Sequence, residues 1–266
     1  MQIERIPTLR DNYTYLIVDP ATNEAAVVDA PEVDPVVDRI EALGVKVTKI
    51  LSTHHHPDHS AANPALAQRY GAPVYGYVSD AHRIPGFTHG LEEGDTISVG
   101  ELQAEILFIP AHTRGHIAYV FPDAVFCGDT LFSAGCGRLF EGTPEMMHAA
   151  LNEKLSRLPD HTRVYCGHEY TESNVRFALS VEPGNRQLQA KMDSVRAIRA
   201  HAGSNWHDAD DVEMTIPSTI GEEKATNPFM RPNSPEIIAS VQMQAPGTPA
   251  DDVSILGAVR RLKDSF

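Results

Sequence analysis

Cysteine is scarce: Cys127, Cys136 and Cys166 are all that 266 residues carry, with no Cys-x-x-Cys pair. That excludes a disulfide framework and a thiolate zinc knuckle. No run approaches the roughly 20 consecutive apolar residues of a membrane-spanning helix, and residues 1–13 lack the apolar centre of a secretion signal; a cytoplasmic location without a membrane partner is expected. Positive charge is short, with 22 Lys plus Arg against 36 Asp plus Glu and a formal net charge of −14, so no basic excess is available to displace counterions from nucleic acid. No internal repeat or low-complexity tract interrupts a composition that is 42% hydrophobic and 22% charged, as expected of a folded chain. Histidine is what the chain has in plenty: 13 residues, several of them in one short segment.

The texture changes along the chain. Short runs rich in β-branched or aromatic residues, bounded by Gly, Pro, Asp or Asn, predict strands at residues 15–18, 25–28, 49–52, 105–109, 118–121, 124–127 and 163–166. Between them, Val33, Val36, Val37, Ile40 and Leu43 recur at helical spacing ahead of Gly44, and Thr143-Pro144 caps a helix with Met147, Leu151, Leu155 and Leu158 on one face. Beyond about Asn174 the β runs disappear. Asn185 is a cap for a helix bearing Leu188, Met192, Val195 and Ile198 and ending at Gly203, and Thr248-Pro249-Ala250-Asp251 resembles a capping box for a final helix. The pattern predicts an α/β domain over residues 1–173 and a smaller helical domain over 174–266.

The histidine segment is Thr53-His54-His55-His56-Pro57-Asp58-His59, directly after a β run. Imidazole and carboxylate suit divalent transition metals, and Pro57 stiffens the loop that carries them. In an extended stretch His54 and His56 project to one side, while Asp58 and His59 fall where the chain turns toward a second ion. Three further β runs end in polar residues of the same kind: Pro110-Ala111-His112-Thr113-Arg114-Gly115-His116, Gly128-Asp129-Thr130, and Cys166-Gly167-His168-Glu169-Tyr170. Side chains at strand ends on a rigid sheet converge on one crevice. A solvated His-rich loop is the bland alternative, but Pro57 and Asp58 interrupt the tract and a strand delivers it.

These stretches, with Gly128 to Arg138 and with Pro217-Ser218-Thr219 through Asn227-Pro228-Phe229-Met230-Arg231, resemble the metallo-β-lactamase superfamily, and within it the glyoxalase II (hydroxyacylglutathione hydrolase) family. The resemblance runs from Asp11-Asn12-Tyr13 to the last helix. It implies an αββα sandwich followed by a helical domain. It also implies two divalent ions, zinc first with iron or manganese as alternatives, one held by His54, His56 and His112, the other by Asp58, His59 and His168, with Asp129 bridging. His116 and His55 have no ligand role in that pattern, and His82, His89, His148, His161, His201 and His207 are expected in solvent. The activity implied is hydrolysis of S-(2-hydroxyacyl)glutathione thioesters, chiefly S-D-lactoylglutathione, in methylglyoxal detoxification; a monomer is expected, though oligomeric state leaves little mark on the sequence.

Paired ions lower the pKa of a shared water toward neutrality and polarise a carbonyl, so no Ser or Cys nucleophile is needed. Asp58 and Asp129 are then the catalytic carboxylates, and a thiolate departs without a strong acid. By the family pattern, Arg138, Phe140, Tyr170, Arg260 and Lys263 meet the glutathione moiety. Relatives often have Lys at Arg138 and some have Tyr at Phe140; the Phe has no hydroxyl for the peptide. A rival on the same fold is a mononuclear-iron persulfide dioxygenase, and another is nucleophilic catalysis by a cysteine. Buried small residues explain Cys127 and Cys166 more simply, and Cys136, in a Gly-rich loop, is the more open case.

Overall fold

Alternating β-branched runs and turns build the first of two units, which comprises Met1–Phe108, Gly115–Gly128 and Gly167–Glu169 of the computed structural model. The structure describes residues 1–202 and 214–266. Gly203 and His207 lie outside the described residues, as does the side chain of His201. Strands β1 (Gln2–Thr8), β2 (Asn12–Asp19) and β3 (Glu24–Val28) pair antiparallel in sequence order. From β3 the sheet continues in parallel through β4 (Lys46–Leu51), β5 (Val74–Tyr77) and β6 (Phe87–Leu91). The crossovers carry helices, as parallel neighbours require: α1 (Asp34–Leu43) between β3 and β4, then α2 (Pro57–Ser60) and α3 (Asn63–Tyr70) between β4 and β5. Gly44 ends α1 in the left-handed region at φ 62°, where a residue without Cβ is unstrained. Val36, Val37 and Ile40 of α1 and Leu66 of α3 pack with Leu16, Val27, Ile50 and Val74 in one buried cluster.

A second set of strands in this unit, β7 (Thr96–Val99), β8 (Leu102–Phe108), β9 (Ile117–Phe121) and β10 (Ala124–Gly128), forms an antiparallel meander. It packs on the first sheet: Tyr15 of β2 meets Phe126 of β10 edge-to-face with centroids 5.3 Å apart, and the buried Tyr119 hydroxyl donates to the Ser52 carbonyl. Alternate residues of β2 face the second sheet, as Tyr15 does, while Leu16 and Val18 face the cluster under α1 and α3, so all eight residues of β2 are buried.

The second unit comprises Ile109–Arg114, Asp129–Cys166 and Tyr170–Phe266. Its elements are the short pair β11 (Leu131–Phe132) and β12 (Gly135–Cys136), then α4 (Pro144–His148), β13 (Arg163–Cys166), α5 (Thr171–Val181), α6 (Arg186–Ala202), β14 (Ser218–Thr219), α7 (Ile220–Thr226), α8 (Pro235–Gln244) and α9 (Asp252–Ser265). Thr143 caps α4 by accepting from the Met146 amide. The expected helix then passes through a π-turn at Ala149–Lys154 and a 3-10 turn at Leu155–Arg157. Met147, Leu151 and Leu155 are buried, while Leu158 lies beyond the last turn. Asn185 caps α6, its side-chain oxygen accepting from the amides of Gln187 and Leu188, and Leu188 and Met192 pack on Val175 and Ala178 of α5.

Two expectations need correction. The helical region contains a strand, β14, antiparallel to β13. The last helix starts at Asp252 with Asp251 as its cap, accepting from the Ser254 amide, so Pro249 is not its first residue. Thr248 spends its hydroxyl proton on the Ala245 carbonyl in the preceding turn, and the Asp251 carboxylate is the better acceptor for the free amides.

Candidate metal centre

The histidine loop begins where β4 ends, beside the end of its parallel neighbour β3, the edge of an α/β sheet at which ligands gather. Its shape follows from Pro57. His56, the residue before proline, is extended (φ −57°, ψ 142°), and Pro57 opens the single turn of α2. His54 and His56 therefore stand on an extended stretch with His54 Nε2 and His56 Nδ1 3.0 Å apart, and Asp58 and His59 stand on a helical turn. His168 reaches the same unit through Gly167–Glu169: it bridges to Asn12, and Gly167 accepts from the Tyr13 amide. His59 Nε2 and His168 Nε2 are 3.2 Å apart. Asp58 Oδ2 lies 3.4 Å from His168 Nε2 and 3.6 Å from His59 Nε2.

The outer ring nitrogens decide what the inner ones offer. His59 Nδ1 faces Asp29 Oδ2 at 3.2 Å, and His168 Nδ1 faces Asp11 Oδ1 at 2.9 Å. A carboxylate only accepts, so the proton of each neutral ring sits on Nδ1 and each Nε2 presents a lone pair. His54 is set the same way at one remove. The Thr53 hydroxyl donates to Asp29 Oδ2 (2.7 Å), leaving its oxygen to accept from His54 Nδ1 at 3.1 Å. Two lone pairs and a carboxylate oxygen this close repel one another unless a cation sits among them, so the donor set of Asp58, His59 and His168 fits a divalent ion. Asp29 also lies near His54 and His59, but its oxygens already accept from the Thr53 amide, the Thr53 hydroxyl and His59. It orients the cluster and does not add a ligand.

In the second unit, His112 Nδ1 donates to the Arg138 carbonyl at 2.9 Å, which again turns a lone pair on Nε2 outward, 3.4 Å from Asp129 Oδ2. Gly137 permits this: a Cβ there would run into the Asp129 carbonyl and come within 2.9 Å of His112 Nδ1. The positive side chains expected to meet substrate also belong to this unit. Arg260 is buried, donates to the Cys136 carbonyl at 2.7 Å, lies over Phe229, and pairs with Asp264 at 3.1 Å. Arg138, largely exposed, reaches the same Asp264 oxygen at 3.6 Å. Lys263 donates to the carbonyl and hydroxyl of Ser173 and lies over the rings of Phe177 and Phe266. Burial, with the charges of Arg260 and Arg176, pulls its ammonium down to about 8. Phe140 is 62% exposed with its ring 5.2 Å from that of His112, and Tyr170 packs edge-on against Phe132.

The family model described as "Metallo-beta-lactamase superfamily" matches residues 9–168, and that described as "Hydroxyacylglutathione hydrolase C-terminus" matches residues 169–266. A protein of Synechococcus sp. (strain JA-3-3Ab) named "Hydroxyacylglutathione hydrolase" is 48% identical over 269 residues, covering 100% of both chains. One of Jannaschia sp. (strain CCS1) with the same name is 46% identical over 267 residues, covering 100% of this chain and 98% of its own. The chain belongs to the hydroxyacylglutathione hydrolase family of the metallo-β-lactamase superfamily. The crystal structure of ETHE1 from Myxococcus xanthus shares the fold, with a TM-score of 0.64 and 27% identity over 100% of this chain and 99% of that one.

Cys127, Cys136 and Cys166 are all buried, and burial pushes the Cys136 thiol up to about 11 despite the adjacent Arg260, so almost no Cys136 thiolate exists near neutrality. His116 is fully buried and stacks on His54 with centroids 4.6 Å apart. His55 faces Arg83 and Asp80. Of the histidines expected in solvent, His82, His89 and His161 are exposed, but the His148 side chain is only 16% exposed and lies 3.6 Å from Glu153. Sequence reasoning missed Asp11 and Asp29 as orienting groups. The signal for Asp29 was a carboxylate directly after the β run Val27-Val28; the fold holds it at φ 52°, a left-handed conformation that Asp tolerates.

Proposed function

We propose that this chain hydrolyses S-(2-hydroxyacyl)glutathione thioesters, chiefly S-D-lactoylglutathione, to glutathione and the free hydroxy acid in methylglyoxal detoxification. The observation that carries the reading is the set of imidazoles whose outer nitrogens are each engaged by a fixed acceptor, leaving their lone pairs for a cation. On this reading residues 1–173 form the catalytic domain and 174–266 the substrate-binding domain of a cytoplasmic monomer. His54, His56 and His112 would hold one ion, Asp58, His59 and His168 the other, with Asp129 between them; zinc is the first candidate and iron or manganese the alternatives. Such ions, when bound, supply an acidified water and a Lewis acid for the carbonyl.

The protein's own groups do the rest. The Asn12 amide donates to the Asp58 carbonyl at 2.9 Å and to its carboxylate at 3.3 Å, which supports a role for Asp58 in which its carboxylate would accept a hydrogen bond from water and orient it. Arg260, fixed by Cys136 and Asp264, and Lys263, fixed by Ser173, present preset positive charge to the glycine carboxylate, so little side-chain freedom is lost on binding. Arg138, Tyr170 and Phe140 complete the subsite. The departing thiolate, with a conjugate acid near about 8.5, needs no proton from the protein.

The test follows thioester loss from S-D-lactoylglutathione with metal assayed on the same sample. Asp129→Ala should lose metal and turnover together; full turnover in that variant would contradict the bridging role. A mononuclear-iron persulfide dioxygenase would instead consume oxygen with glutathione persulfide, and the C-terminal family match over 169–266 favours the hydrolase.

A further inference from the structure

The turn between β1 and β2 touches the candidate metal centre twice. Thr8 pairs with Asn12, so Leu9, Arg10 and Asp11 form a three-residue hairpin loop. The carboxylate of Asp11, its last residue, faces His168 Nδ1 at 2.9 Å, and the Asp11 carbonyl accepts from the Glu169 amide at 2.8 Å. Asn12, the next residue, holds Asp58 by both carbonyl and carboxylate. Of the donors Asp58, His59 and His168, the turn therefore sets the first and the last.

Leu9 opens that turn in an unfavourable conformation. Its φ is 49°, a left-handed value that a bulky side chain resists. Three-residue hairpin loops ordinarily place their left-handed residue last; here it comes first. Packing does not explain it, because Leu9 is 45% exposed. A hydrogen bond does: the Leu9 amide donates to Glu32 Oε2 at 2.6 Å, across 23 positions of sequence. Backbone strain of this kind persists only where surrounding contacts over-determine it, and it gathers at functional sites.

Glu32 stands on a fixed support. It lies in the connection from β3 to α1, where the Asp29 carbonyl accepts from the Thr14 hydroxyl at 2.7 Å and the Ala30 carbonyl from the Ala62 amide at 3.0 Å. Asp29, at the other end of that connection, orients His59. We infer that Glu32 is a positioning residue for the metal centre: by holding Leu9 left-handed it fixes the turn that aims Asp11 at His168 and Asn12 at Asp58. The inference rests on the reading that Asp58, His59 and His168 hold a divalent ion. Loss of the Glu32 acceptor lets Leu9 relax to a negative φ, and the carboxylate two residues later then swings away from His168. The stretch bearing His54 and His56 follows β4 and is oriented through Thr53 and Asp29, so it does not depend on this turn.

The experiment titrates zinc into the intact apoprotein against a chelator of known affinity and reads dissociation constants, not turnover. Glu32→Ala should weaken one ion about fivefold, below the roughly 10- to 100-fold loss that follows removal of an outer partner itself, because Asp11 is displaced and not lost. The other ion should stay within about twofold of wild type, since its donors are oriented elsewhere. Adding Leu9→Asn to Glu32→Ala should restore the weakened ion to within about twofold, because Asn enters the left-handed region without an anchor; a general loss of stability would not be repaired this way. Unchanged affinity in Glu32→Ala, equal weakening of both ions, or a weakened ion that Leu9→Asn fails to restore would each overturn the inference. A wild-type protein that binds no ion would instead overturn the reading on which it rests.

Discussion

Asp29→Asn tests the orientation argument directly. Asn also tolerates the left-handed conformation that Asp29 occupies at φ 52°, so backbone strain does not confuse the result as it would with alanine. The carboxylate accepts the Thr53 amide on one oxygen, and the Thr53 hydroxyl and His59 Nδ1 on the other. An amide keeps only one acceptor. If the NH2 faces the Thr53 amide, two donors oppose each other at the start of the histidine loop; if it faces His59, the ring loses the acceptor that keeps its proton on Nδ1. Loss of such an outer partner costs about 10- to 100-fold in metal affinity, or about 1.4 to 2.8 kcal/mol. Competition against a chelator of known affinity, on apoprotein titrated with zinc, should show one ion weakened by that factor. Turnover should largely return when metal is in excess. A dissociation constant within about twofold of wild type would refute the claim that Asp29 sets the direction of the lone pairs.

Lys263 predicts a pH dependence. Its ammonium is lowered from 10.5 to about 8, so protonation falls through that value and KM for a glutathione thioester should rise between about pH 7 and 9 while Lys263→Arg stays flat across the window; a flat wild-type profile would remove Lys263 from the subsite. Because the unfolded chain holds this proton up to 10.5 and the folded one only to about 8, the same group should add stability as pH rises between the two values, which urea melts at pH 7.5 and 9.5 would register against Lys263→Arg. Cys136→Ala should keep kcat within about twofold and lose about 1 kcal/mol of stability for the small void, measured by turnover and denaturant melts; near-complete loss of turnover with metal retained would return the thiol to the mechanism.

The caps at Gly44, Thr143 and Asn185 were legible because a cap is a local contest between one side chain or one left-handed residue and the nearest amides. The start of α9 was not, since Thr248 and Asp251 both qualify locally and the turn at Ala245 had already engaged the threonine. Strand β1 escaped because Glu4, Arg5 and Pro7 break its apolar pattern, and β6 because Thr88, His89 and Gly90 are exposed; such strands take their conformation from a paired neighbour rather than from propensity.

By itself the sequence determined the donor types, their delivery by strand ends and the break in the histidine loop at Pro57, because each depends on residues a few positions apart. Only the tertiary structure decided which ring nitrogen of His59 and His168 carries the proton. That choice belongs to carboxylates 30 and 157 residues away in the chain, and no local pattern specifies which distant oxygen an imidazole will face.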